Sequence, residues 1–271
     1  MILDWANLKW GDVAGRDMAQ AIAVLPVAAV EQHGPHLPLG TDAMIMAGYL
    51  ARVRARAPQA LPNIDVLLLP GLMTGTSHEH MDFPGTLSLS PQTLLSVIAD
   101  LGASVARSGC RKIVLLNSHG GNSAALDIAA LELRRLHRML AVTVSWSRFG
   151  YPEGLFSAQE IRHGIHGGDI ETSLMLAFRP DLVRMELAGE FTPASVAMER
   201  EFTWLNAGRP AAFGWMAQDL SASGAMGNAS LASAQKGESA ASHGVTAFAE
   251  LLRDIADFGL EGLRVGPAGN P

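Results

Sequence analysis

Residues 31–42 read Glu-Gln-His-Gly-Pro-His-Leu-Pro-Leu-Gly-Thr-Asp, which places three strong metal ligands, Glu31, His33 and Asp42, in one short segment. A carboxylate, an imidazole and a second carboxylate on a backbone stiffened by Gly and Pro form a hard-to-borderline donor set. Such a set suits Zn²⁺, Mn²⁺ or Fe²⁺ better than Ca²⁺ or Cu⁺. The apolar run before it, residues 21–30, reads as a buried strand. The ligands then emerge at a strand's carboxyl end, where open α/β sheets place their sites.

Three further glycine-rich segments carry similar chemistry. They are residues 117–122 (Asn-Ser-His-Gly-Gly-Asn), residues 163–173 with His163, His166, Asp169 and Glu171, and residues 75–80 followed by Phe83-Pro84-Gly85-Thr86. Seven of the nine histidines fall in these segments and the opening one; only His137 and His243 lie outside. Taken singly, each has a plain structural explanation. His78 and His80 could orient a loop, Asp169 could cap the helix that follows, and residues 119–122 could be a tight strand-to-helix turn. Rival chemistries lack their signatures: there is no dinucleotide fingerprint, no P-loop, no H-E-x-x-H and no serine-hydrolase elbow.

These segments need a scaffold. Residues 21–30, 64–69, 112–116 and 141–146 read as strands. Residues 43–57, 91–107, 123–139, 167–178 and part of 231–258 read as helices. Ser90 is the expected N-cap of the second helix and Asn122 of the third. The alternation predicts a single α/β domain with a mainly parallel central sheet and helices on both faces. Residues 203–227 are expected to lie over the site or at a subunit contact, and residues 265–271 to fray. The 271 residues are 48% hydrophobic and 17% charged, enough for a sizeable core. A net charge of -6 without a basic block predicts no nucleic-acid partner. The lone Cys110 excludes an internal disulfide and is expected to be buried. With no secretion signal and no membrane span, a cytoplasmic location is expected.

Together, residues 31–42, the His119-Gly120-Gly121-Asn122 turn, the Gly75-x-Ser77-x-Glu79-His80 and Phe83-Pro84-Gly85-Thr86 pair, and His166-Gly167-Gly168-x-x-Glu171-Thr172-Ser173 resemble the creatininase (creatinine amidohydrolase) family. The resemblance runs from about residue 5 to about residue 258. It implies two divalent ions, zinc first with manganese or iron as alternatives. Glu31 and His119 would hold one ion, His33 and Glu171 the other, and Asp42 would bridge them. It implies His166 as the acid/base and Ser77 in the substrate pocket. It also implies a small-molecule substrate and a homo-oligomer, a hexamer by analogy.

One departure bears on the substrate. Creatininases proper carry tyrosine and then glutamate after the histidine matching His119, whereas this chain has Gly120 and Gly121. That predicts a weaker first metal site, tightened by Gly121→Glu, and a roomier pocket in which creatinine is a poor substrate. The expected reaction is hydrolysis of a C–N bond in a cyclic amide or formamide. The alternatives are hydrolysis of a lactone or cyclic ketone, a peptidase in peptide-cofactor maturation, and a non-catalytic metal-binding scaffold.

Overall fold

The computed structural model describes residues 1–264 and 266; the expectation for residues 265 and 267–271 lies outside them. Five strands form the central sheet: β1 (Ile2–Asp4), β2 (Ile22–Val27), β3 (Val66–Leu68), β4 (Lys112–Asn117) and β5 (Leu140–Ser145). Their order is β1-β3-β2-β4-β5 and every pairing is parallel. The helices in chain order are α1 (Trp10–Ala14), α2 (Thr41–Ala60), α3 (Pro91–Arg107), α4 (Ser123–His137), α5 (Ala158–His163), α6 (Asp169–Phe178), α7 (Ala194–Glu201), α8 (Ala217–Leu220) and α9 (Ala234–Asp257). No helix among the described residues is long and apolar enough to cross a membrane.

The period of two in the strands builds two cores. Ile22 and Val24 of β2, with Val114 and Leu116 of β4, face α2, α6 and α9. Ala23, Leu25 and Val27, with Ile113 and Leu115, face α3 and α4. A strand buried on both sides reads as a continuous apolar run, which is why residues 21–30 and 112–116 were recognisable. Each large aliphatic side chain so buried contributes roughly 1.5–3 kcal/mol. Cys110 is buried, as expected.

Several boundaries differ from the sequence reading for physical reasons. β2 ends at Val27 and the chain then curls into the site; Val30 makes only an isolated bridge to Leu87. Pro26 pairs in register with Leu116, and it lacks an N–H where β3, its other neighbour, has already ended. α2 begins at Thr41 and runs through Pro58 to Ala60, so Asp42 sits in a helix's first turn. β1, a three-residue edge strand, carries too short a pattern to be read. α3 starts where expected, with Ser90 Oγ accepting from the Thr93 N–H.

The last long helix, α9, lies directly on α6. A Cβ on Gly237 would come 1.9 Å from the Ser173 carbonyl oxygen. Lys236 Nζ donates to Asp169 Oδ2 at 2.5 Å, and the Ser233 N–H donates to Ser173 Oγ at 3.1 Å. Asp169 therefore anchors one helix to another as well as opening α6.

Candidate metal centre

The sheet's order reverses between β2 and β4, and their carboxyl ends open the site. β2 leads to Glu31 and His33, and α2 then supplies Asp42. β4 leads to His119, the turn into α6 supplies His166, and the first turn of α6 supplies Glu171. Asn122 knits these loops. Its Oδ1 accepts from the Thr76 N–H, and its Nδ2 donates to Ala28 O and to Asn117 Oδ1. It makes no side-chain cap bond to α4, so its expected role as an N-cap is replaced by one as a buried hub. Gly34, at φ 70°, reverses the chain after His33; a Cβ there would lie 2.6 Å from the Ala225 methyl.

Six of the anticipated side chains converge. Glu31, Asp42 and His119 each offer a ligand atom within 4.8 Å of the others, and so do His33, Asp42 and Glu171. Asp42 belongs to both groups and divides its oxygens between them. Oδ2 stands 3.5 Å from His119 Nδ1, and Oδ1 stands 3.6 Å from His33 Nε2. His119 Nδ1 is 3.1 Å from Glu31 Oε1, and His33 Nε2 is 3.8 Å from Glu171 Oε2. A third group joins Glu31, His33 and His166.

Glu31, His33 and Asp42 are essentially inaccessible, yet both Glu31 oxygens, His33 Nε2 and Asp42 Oδ2 have no hydrogen-bond partner among the described residues. Buried charged atoms left unpaired are costly, and cations between them would remove the cost. The donor set, three carboxylates and two imidazoles at close range, fits divalent transition-metal ions. The imidazoles are already turned for this. His33 Nδ1 meets Glu31 O at 3.0 Å and His119 Nε2 meets Thr76 O at 2.8 Å, which leaves His33 Nε2 and His119 Nδ1 facing the cluster.

The electrostatics point the same way. Burial opposes charge on His33 and His119, but the carboxylates outweigh it. Asp42 and Glu171 raise His33 to about 9, and Glu31 and Asp42 raise His119 to about 10. Burial would raise Glu31, but His119, His166 and His33 hold it well below the usual carboxylate range. Burial lifts Asp42 to about 6 against the pull of His33. The cluster draws positive charge, and bound cations would compete with those protons.

The remaining histidines part company. His80 joins the cluster from the side, with Nε2 3.4 Å from Glu31 Oε1. His36 pairs with Thr172 Oγ1 at 2.8 Å instead. His163, a conceivable proton carrier, is held between Ser195 Oγ and Glu199 Oε2 at 3.0 and 2.7 Å, and His78 is exposed. Ser77 is fully buried and its Oγ has no partner among the described residues. Glu160 was not anticipated. Its buried carboxylate accepts from the Asn228 and Ile170 N–H groups at 3.0 and 3.4 Å, and a Cβ on Gly164 or Gly168 would strike it. No motif spacing advertises it; only the packed glycines around residues 164–168 could have.

The two glycines after His119 behave differently. A Cβ on Gly120 would meet nothing within 4 Å. A Cβ on Gly121 would lie 2.5 Å from Glu79 Oε1, 2.5 Å from His119 Nε2 and 2.6 Å from Thr76 O. This corrects the expectation that Gly121→Glu tightens the first site, because Glu79 already fills that space. Gly121→Glu should instead unseat His119 and lower stability by roughly 1–3 kcal/mol, the usual cost of overpacking. Thermal unfolding with metal titration checks this; an unchanged midpoint with tighter binding would restore the original expectation.

The family profile described as creatinine amidohydrolase matches residues 6–252. The chain belongs to the creatininase family, a family of metal-dependent hydrolases acting on C–N bonds. It is 34% identical to the creatinine amidohydrolase of Pseudomonas putida, over 70% of this chain and 76% of the relative. It is 32% identical to the mycofactocin precursor peptide peptidase of Mycolicibacterium smegmatis, over 87% of this chain and 83% of the relative. A solved creatininase with Mn superposes with a TM-score of 0.72 at 29% identity, covering 94% of this chain and 98% of that one. A Zn–Zn creatininase variant gives 0.71 at 30%, covering 93% and 97%.

Proposed function

We propose that this protein hydrolyses a C–N bond in an amide larger than creatinine, with two divalent ions held by Glu31, Asp42 and His119 and by His33, Asp42 and Glu171. The observation that carries this reading is the sharing of Asp42 between two ligand groups in which both Glu31 oxygens, His33 Nε2 and Asp42 Oδ2 are buried without a hydrogen-bond partner among the described residues. Zinc is the first choice, with manganese or iron as alternatives. When bound, the ions would bring the pKa of water towards neutrality and polarise the carbonyl.

The protein's own groups do the rest. His166 Nε2 bonds to Gln32 O, so Nδ1 is bare and lies 3.7 Å from Glu31 Oε1. Burial and the neighbouring His33 push its pKa down to about 4, so the ring is neutral at pH 7. It accepts at Nδ1 the proton that water gives up on adding to the carbonyl carbon, then passes it to the leaving nitrogen.

Support for a larger substrate comes from the cavities. One of about 240 Å³ lies over Asp42, His119, His166 and Glu171, with Glu79 and Trp215 at its walls. Another of about 490 Å³ continues past His119, Gly120 and Glu171 to Trp146, Arg148 and Tyr151. Both are lined by His119, Gly120 and Glu171, and a Cβ on Gly120 would meet nothing within 4 Å, so the wall they share is open. The same open wall favours a second reading, a peptidase acting at a chain terminus.

Metal-loaded protein assayed on creatinine, on larger cyclic amides and formamides, and on short peptides separates these readings. Creatinine turnover is expected to be poor. A kcat/KM on creatinine of roughly 10⁴ M⁻¹s⁻¹ or more would refute the substrate assignment. The exposed apolar side chains of Phe202, Trp204 and Leu205 support a homo-oligomer.

A further inference from the structure

Gln32 stands between the two ligands Glu31 and His33, and its side chain takes no direct part in the reaction. Its amide orientation is fixed by backbone partners: Oε1 accepts from the Gly34 N–H at 2.9 Å, and Nε2 donates to Gly224 O at 3.1 Å. The same Nε2 is 2.8 Å from His80 Nδ1. An amide NH₂ can only donate, so His80 Nδ1 must be the acceptor and its proton must sit on Nε2. That N–H edge faces Glu31 Oε1 at 3.4 Å. Meanwhile the backbone carbonyl of Gln32 accepts from His166 Nε2, which leaves His166 Nδ1 bare towards the same carboxylate. The two rings stack at 4.2 Å between centroids, tilted by 26°.

We propose that Gln32 and His80 are positioning residues. Gln32 locks His80 as the Nε2–H tautomer with that N–H edge turned towards the Glu31 carboxylate, while its carbonyl engages the same nitrogen of the stacked His166, so that His166 presents its bare Nδ1 instead. One residue thereby assigns different tasks to two adjacent imidazoles. His80 does not carry the reaction's proton, because its only free nitrogen is already protonated. Partners that orient a metal ligand in this way typically change metal affinity by about 10–100-fold when removed.

The assignment rests on Glu31 being a metal ligand, and the test is chosen so that the two can fail separately. Long-range ¹H–¹⁵N correlation spectra of ¹⁵N-histidine-labelled protein report each ring's tautomer, with the His80→Gln variant identifying the His80 signals. His80 is expected as the Nε2–H tautomer in both metal-free and Zn-loaded protein. In Gln32→Glu, a carboxylate facing Nδ1 demands a proton there, so the His80 pattern should change to Nδ1–H or to the doubly protonated ring. Zn affinity should fall about 10–100-fold in His80→Ala and recover substantially in His80→Gln, whose amide N–H can take up the same task.

A wild-type spectrum with the His80 proton on Nδ1 overturns the proposal with no variant needed. Unchanged Zn affinity in folded His80→Ala overturns it as well. Absence of any Zn binding by the wild type, with His80 still Nε2–H, would overturn the metal reading and the holding of Glu31 as a ligand, but leave the lock by Gln32 standing.

Discussion

Asp42→Ala should empty both metal positions at once. Its two oxygens face different imidazoles, His119 and His33, so one substitution removes a ligand from each group. Removing an outer partner of a ligand commonly costs about 10–100-fold in affinity; removing a direct ligand should cost at least that at both positions. Metal content of the purified variant should fall well below that of the wild type, and hydrolysis should be lost with it. His33→Ala is the control, because only one of the two proposed ions has His33 as a ligand: it should lose that ion and largely keep the other. Elemental analysis of the three proteins, with circular dichroism to verify folding, reads the result. An Asp42→Ala protein that retains as much metal as the wild type would remove the bridging role.

His166→Ala should leave metal and fold in place and lower kcat by roughly 10²–10⁴-fold, the range for a lost general acid–base group. The ring presents a bare Nδ1 to the cluster, but it is also one of the group formed with Glu31 and His33. Metal analysis therefore accompanies the kinetics. Loss of an ion in this variant would make His166 a ligand. Near-normal turnover with both ions bound would place the proton transfer elsewhere, and the pairing of His163 with Ser195 and Glu199 makes that residue a poor substitute.

Much of this site was legible because its residues combine ligand chemistry with strand-end position. Glu31, His33 and Asp42 lie within one segment, and β2 and β4 announce themselves as apolar runs buried on two faces. The convergence of residue 119 with that segment follows from parallel topology, which sends successive strand ends to one edge, whereas residues 166 and 171 arrive from the turn between α5 and α6 and from the start of α6. Side-chain direction was harder to read. His36 is as good a ligand by type as His33, yet it turns to Thr172. Gly121 was read as an empty ligand position, but a side chain there would run into Glu79, His119 and the Thr76 carbonyl. Gln32 carries no chemistry in its type; its part depends on the Gly224 carbonyl, far away in sequence. The N-capping rule identified Ser90 correctly and misjudged Asn122, because burial among three loops offered that amide better partners than a helix end.

The seat of α9 on α6 has a consequence for how the protein comes into being. Glu171 rides on the first turn of α6, and the start of α6 is fastened by Lys236 and by the close approach of Gly237. Those residues leave the ribosome after every residue of the metal cluster. A nascent chain that has already exposed residues 31 to 171 therefore still lacks the clamp that steadies its last ligand. Activity should therefore wait for α9, and products terminated before residue 234 should be inert chains.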